Sequence, residues 1–196
     1  GGHATTLRGI KQLMKDEGVV SICEIGCGGG DNLFAIQRFC LQNNIRASFT
    51  GIDINPDCIA FAGQKYPQLS ATWICSDYAL VKFEGEKPDI IFSSLFCHHF
   101  TDAQLVQMLS WLQENSRRGF FINDLHRHWL AYYLIKYITR FFSRSYLVKN
   151  DACLSVARSF VKKDWKHLFQ QAGLREPLIA WRWAFRYLVT AKNLND

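Results

Sequence analysis

Residues Glu24-Ile25-Gly26-Cys27-Gly28-Gly29-Gly30 constrain what this chain can fold into more than any other stretch. An apolar run from Val19 to Cys23 precedes them, and a helix-like pattern through Asp31, Leu33, Phe34 and Ile36 follows. A strand that ends in a glycine-rich turn and opens a helix is how an α/β sheet receives a nucleotide-like ligand. Bare backbone lets such a ligand lie close, and tight turns need the positive φ that glycine tolerates. The dinucleotide pattern G-x-G-x-x-G is not met, because it breaks at Asp31 when read from Gly26 and at Leu33 when read from Gly28. What remains is a carboxylate two positions ahead of three alternating glycines.

The ribose partner of such a turn is expected about twenty residues further on. Ser48 to Asp53 reads as a short buried strand ending in a carboxylate, Asn55-Pro56 marks a turn, and a helix follows from Asp57. A carboxylate accepts hydrogen bonds from both hydroxyls of a vicinal diol, which suits Asp53 to a ribose. A third strand, Ala71 to Cys75, ends at Ser76-Asp77-Tyr78. The fourth spans Lys87 to Ser94, with Pro88 and Asp89 at its start and an apolar run that suits a central parallel strand.

This succession resembles motif I and the following strands of the class I S-adenosylmethionine-dependent methyltransferases, closely over residues 19–117 and more loosely to the C-terminus. The resemblance implies an α/β fold, a doubly wound, mostly parallel seven-stranded Rossmann-like sheet with helices on both faces and an antiparallel last strand. It implies S-adenosylmethionine as cofactor and S-adenosylhomocysteine as product. By position, Glu24, Gly26, Cys27, Gly28 and Gly30 surround the cofactor, Asp53 holds the ribose, and Ile54 packs on the adenine. Asp77 receives the adenine amino group with Tyr78 beside the ring, and Ser93 closes the set at the end of the fourth strand. Asp77 reads equally as an exposed turn residue.

The 196 residues make one domain with enough chain for a full core, and 48% hydrophobic against 20% charged content argues against disorder. Thr101 and Gln104 fit a capping box before Leu105, Met108, Leu109 and Leu112, which share one helix face. Trp165, Leu168, Phe169 and Ala172 repeat that spacing, with Gly173 as a C-terminal cap. Residues 178–191 alternate and read as a terminal antiparallel pair. The expected organisation is a leading helix (1–18), a cofactor-binding core (19–128), a helical lid-like insertion (129–163), and a terminal helix with antiparallel strands (164–196).

Ligands of open α/β sheets sit beyond the carboxyl ends of the strands, so the acceptor should meet residues after the fourth and fifth strands. Four of the six histidines lie there, in His98-His99 and in His126-Arg127-His128. Methyl transfer to oxygen or nitrogen requires loss of a proton, which a histidine near neutral pKa can accept. His99 and His126 are the first candidates, followed by His98. Asp124-Leu125-His126-Arg127-His128 also resembles a signature of bacterial natural-product methyltransferases of polyketide or quinone pathways, with Trp129 where those carry proline. No metal is expected, since adjacent histidines diverge and no cysteine completes a familiar spacing.

From 129 to 149 an apolar stripe (Leu130, Leu134, Ile138, Phe142), thickened by Tyr133 and Tyr137, runs beside a basic one of Lys136, Arg140 and Arg144. The segment is too short and charged to span a bilayer. It reads as a lid over a greasy pocket, a surface helix, or a docking face for an acidic carrier protein or anionic membrane. The net charge of +6 favours an acidic partner without fixing one. No DNA-methyltransferase signature follows the fourth strand, and RNA is suggested by charge alone. Seven scattered cysteines and no visible secretory signal place the protein in a reducing cytoplasm. The expectation is therefore a cytoplasmic methyltransferase acting on a small aromatic or lipophilic molecule, most readily at oxygen. The alternatives are a cofactor-binding protein without turnover and an RNA methyltransferase.

Overall fold

The computed structural model describes residues 2–14, 18–134 and 154–193. Its strands are β1 (Val19–Ile25), β2 (Arg46–Asp53), β3 (Ala71–Cys75), β4 (Ile90–Ser94), β5 (Gly119–Leu125), β6 (Leu178–Arg182) and β7 (Arg186–Lys192). They form one sheet in the order β3-β2-β1-β4-β5-β7-β6. Neighbours from β3 to β5 pair in parallel, and β7 runs antiparallel to both β5 and β6, so β7 is the one reversed strand of this sheet. The strand order reverses between β1 and β4, and the glycine turn leaves β1 at that switch point. An open α/β sheet leaves its ligand crevice there.

Both faces of the central strands are covered, which is why β4 and β5 read as continuous apolar runs. Successive side chains go to opposite faces. Phe120 and Ile122 join the layer under α4 (Asp102–Asn115) and the helix Lys162–Gln171, here α5. Phe121 joins the layer under α1 (Gly2–Leu13) and α2 (Asp31–Gln42) and stacks on Phe92 of β4, with ring centroids 4.9 Å apart. Each of these fully buried phenylalanines contributes about 1.5–3 kcal/mol through the apolar surface it removes from water.

The expected helix signals hold. Thr101 and Gln104 cap α4 reciprocally, and Leu105, Met108, Leu109 and Leu112 are buried. In α5, Trp165, Leu168 and Phe169 are buried and Gly173 takes φ 67 just beyond the C-cap. One expectation of the doubly wound class, a helix after each parallel strand, fails. After β3 no full helix forms among the described residues, only a 3-10 turn at Tyr78–Leu80 before a loop to β4. Gly85 with φ 91 and Pro88 interrupt any helical run there. The strand β5 also extends to Leu125, two residues past Asn123, because its edge pairs with β7 as far as Arg186. Helical residues 129–134 and 154–157 flank the segment that carries Tyr137, Lys136, Arg140 and Arg144, all four of which lie outside the described residues.

Candidate active site

The turn after β1 is built to leave backbone bare. Gly26 has φ 65, and a Cβ there would stand 2.3 Å from the Phe96 ring. Gly28 has φ 51, yet a Cβ there would meet nothing within 4 Å, so its open face is space for a ligand. Asp53, at the end of β2, fixes the turn from the other side. Its Oδ2 accepts from Gly28 N–H at 2.8 Å and its Oδ1 from Asn55 N–H at 2.9 Å, with further lone pairs left on both oxygens. Cys27 N–H donates to Ile52 O at 3.1 Å while its side chain is buried, so this residue offers only backbone at the turn.

A cavity of about 190 Å³ opens here, lined by Gly26, Asp53, Ile54 and Asp77 on one side of the sequence and by Tyr78, Phe96 and Phe100 on the other. Ile54 is 71% exposed, an unusual state for isoleucine and one that an aromatic ligand would relieve. Asp77 caps the 3-10 turn by accepting from Ala79 N–H at 3.0 Å, and it also lines the cavity. Tyr78 meets Phe96, Phe100 and Trp111 edge-on. Burial, then the charges of Asp77 and Cys97, push its phenol up to about 12, so it is a neutral wall. Glu24 is 1% exposed, with Oε1 accepting from Asn32 Nδ2 at 2.8 Å and Oε2 buried without a partner. Burial holds its carboxyl well above the usual range, and a cation opposite Oε2 would bring it down. An amino-acid ammonium is such a cation, and an adenosine fits the cavity's mix of carboxylates and aromatic faces. The residues present therefore fit an S-adenosyl cofactor.

Beyond β4 the chain turns sharply at Leu95, whose φ of 56 is left-handed for a side chain with a Cβ and costs about 1–2 kcal/mol. The turn aims two backbone donors at Asp124. Its Oδ2 accepts from Phe96 N–H (3.1 Å) and Cys97 N–H (2.7 Å), and its Oδ1 from Leu125 N–H (2.7 Å). The fourth partner is His98 Nδ1 at 2.9 Å. A carboxylate already holding three backbone donors takes a fourth, so Nδ1 carries the proton. With four donors on four lone-pair sites, this buried carboxylate is saturated. Thus His98, 7% exposed, is clamped in place, while His99 is exposed and lies tilted against it with ring centroids 4.2 Å apart. Burial first, then the neighbouring His98, hold the His99 imidazole below its usual pKa.

Past β5 a second, apolar cavity of about 470 Å³ is lined by Leu125, His126, Ala131, Leu134, Val156 and the β6–β7 hairpin. The hairpin turn places Ala184 and Phe185 at φ 67 and 53 and leaves Trp183 76% exposed beside the cavity. His126 has a buried Nδ1 with no partner, and burial and then His128 lower its pKa. A further cavity, of about 830 Å³, lies at the other end of the strands around Asp89, Arg117 and Lys192, away from this edge.

With that geometry in place, comparison with known proteins is decisive. A family profile described as a methyltransferase domain matches residues 22–119, half of the chain. The chain belongs to this methyltransferase family. No curated protein sequence gives a significant match. The plantazolicin methyltransferase BpumL, solved with SAH, superposes with TM-score 0.67 at 22% identity. That alignment covers 91% of this chain and 65% of BpumL, so the chain spans just under two thirds of that relative. Magnesium protoporphyrin IX methyltransferase from Synechocystis PCC 6803, solved with SAH, gives TM-score 0.63 at 19% identity, covering 97% of this chain and 82% of its own. A putative O-methyltransferase from Nostoc punctiforme PCC 73102 gives 0.68 at 14%, covering 98% and 56%. At these identities the likeness establishes the fold.

In this methyltransferase the sequence-selected residues separate into groups. Glu24, Gly26, Gly28, Gly30, Asp53, Ile54, Asp77 and Tyr78 gather around the turn and the smaller cavity, Gly30 as the N-cap of α2. Ser93 does not join them through its side chain, since its fully buried hydroxyl lies 3.6 Å from Cys97 Sγ. The histidines form two pairs and not one cluster, His98 with His99 and His126 with His128. Among the described residues no group of three or more metal-ligating side chains occurs. Tyr133 is half exposed and is not part of the apolar cavity, whereas Ala131 and Leu134 are. Sequence reasoning missed Asp124, Phe96, Phe100 and the Trp183–Phe185 turn. An acidic residue ending an apolar strand was a signal for Asp124, but nothing local told that Phe96 would pack against Gly26.

Proposed function

We propose that this methyltransferase uses S-adenosylmethionine to methylate an oxygen of a small aromatic or lipophilic molecule. The observation that carries this reading is the apolar cavity at the β5 edge, with His126 among its lining residues and the Nδ1 of that ring buried without a partner. S-adenosylmethionine supplies an electrophilic methyl group on a sulfonium centre. Gly28 would leave room for it, Asp53 would accept from its ribose hydroxyls, and Glu24 would pair with its ammonium. Ile54, Tyr78 and Phe96 would hold the adenine by apolar contact, with Asp77 receiving its amino group.

On the acceptor side, the flat indole of Trp183 and the ring of Phe185 offer stacking surfaces to an aromatic body. His126, kept neutral by burial, accepts the proton that the acceptor hydroxyl loses. His98 orients the loop after β4 and has its Nδ1 committed to Asp124. His99 stands second as the base. The helical residues 129–134 begin a lid over this cavity, to which Ala131 and Leu134 contribute. The basic stripe at Lys136, Arg140 and Arg144 is the docking face for an acidic carrier or an anionic membrane, should the acceptor arrive on one. Among the described residues no helix is long and apolar enough to cross a membrane. Scattered cysteines favour the cytoplasm as the site of action.

Replacing the proton acceptor tests the reading. His126→Gln should lower kcat by about 10²–10⁴-fold while SAH affinity is unchanged. The acid limb of the pH–rate profile should lie below 6.5, the usual imidazole value, because a lowered pKa keeps the ring in its base form to lower pH. A near wild-type rate in His126→Gln would move the base elsewhere, with His99→Gln the next variant.

A further inference from the structure

A fourth cavity, of about 360 Å³, remains unexplained by methyl transfer to an apolar acceptor. It is lined by Arg127, Arg158, Lys163, His167, Asp102 and Phe100, among others. Arg127 is neutralised within its own surroundings, donating to Asp164 Oδ2 at 2.8 Å and to Ser159 O at 3.1 Å. Asp164 in turn accepts from Val161 N–H at 2.9 Å, so its charge is spent on the start of α5. Arg158 and Lys163 form no ion pair with any described residue, and both are exposed. The cleft therefore holds two unpaired cations against the single carboxylate of Asp102. It also lies where α4 and α5 begin, at Asp102 and Lys162. Both side chains line the same cavity, and an anion bound between them would offset the repulsion of their like charges.

The position ties this cleft to the reaction edge. Phe100 lines both it and the cofactor cavity. Residues 125–127 and 156–160 run side by side, joined by the bridge of His126 to Phe160 and by Arg127 N–H to Phe160 O at 2.9 Å. Along that seam Leu125, His126 and Val156 line the apolar cavity, whereas Arg127, Arg158 and Phe160 line the cationic one. The Arg158 charge is near enough to His99 to depress its imidazole.

We propose that the cleft bearing Arg158 and Lys163 binds an anionic group, a carboxylate or phosphate, of the methyl acceptor, so that the substrate class is an aromatic acid or aryl phosphate and not a neutral lipophile. The proposal rests on the methyl-transfer reading and deepens it. Arg158 presents a planar fork suited to two anion oxygens, and Lys163 adds a point charge.

Calorimetry on the full chain loaded with SAH tests this, using naphthoate, naphthyl phosphate and the neutral naphthylmethanol. At least one anionic probe should bind about 10–100-fold more tightly than the alcohol, the range expected of charge-assisted hydrogen bonds. The better of the two names the anion. In the double variant Arg158→Gln/Lys163→Gln that preference should vanish, with SAH and naphthylmethanol affinities unchanged and the melting temperature unmoved. Equal binding of all three probes by the wild type, or a preference that survives in the double variant, overturns the anion cleft. SAH binding is measured first in the same titrations. Its absence would strike at the methyl-transfer reading, whereas indifference to probe charge in SAH-loaded protein strikes only at the cleft.

Discussion

The two halves of the carboxyl edge are made in different ways. The cofactor half, at the ends of β1, β2 and β3, is mostly backbone: a glycine turn, an open face at Gly28, and one carboxylate, Asp53, pinning the turn at 2.8 Å. The half proposed for the acceptor, at the ends of β4 and β5, is mostly side chains from segments far apart in sequence. Leu125 and His126, Val156 and the Trp183–Phe185 turn all meet at one cavity. Backbone recognition suits a ligand that every member of a family must hold, whereas side-chain recognition can be changed without disturbing the sheet. Asp124 joins the halves. It orders Phe96, which packs on Gly26 in the cofactor half, and it precedes Leu125 and His126 in the acceptor half.

That comparison can be broken most directly at its joint. Asp124→Ala should cost about 3–5 kcal/mol in urea unfolding, because it strands buried donors on Phe96, Cys97, Leu125 and His98. A loss below about 1 kcal/mol would mean that water or another acceptor replaces it and that the halves are not joined there. Next in size, Asp53→Ala should weaken SAH binding by about 1.5–3 kcal/mol and leave the acceptor KM alone. An acceptor KM that rises in step with the loss of SAH affinity would show that the halves are not separable. The smallest effect on stability is expected at Trp183, which is 76% exposed. Trp183→Ala should change unfolding free energy by less than about 0.5 kcal/mol while raising the KM of an aromatic acceptor. An unchanged KM would remove the hairpin from the acceptor site.

How much of this was legible beforehand follows the same division. The turn at Gly26–Gly30, the carboxylates Glu24 and Asp53, and the helix faces of α4 and α5 could be read because each is set by neighbours within a few residues. The loop after β3 was misjudged because Gly85 and Pro88 outweighed the general rule that a helix follows each strand. Ser93 looked exposed to the cofactor by its place at a strand end, but the alternation of side chains along β4 turns its hydroxyl toward Cys97.

The sequence by itself determined the class of fold and the cofactor edge, since a strand, a glycine turn and a carboxylate at fixed spacing leave a parallel sheet few other arrangements. Only the tertiary structure decided which histidine is held and which is free. His98 and His99 are adjacent in sequence and alike in chemistry, yet the left-handed turn at Leu95 delivers one to Asp124 and leaves the other in solvent. It also decided that Arg158 and Lys163 form no ion pair among the described residues, because charge pairing depends on which segments meet, and no local pattern records that.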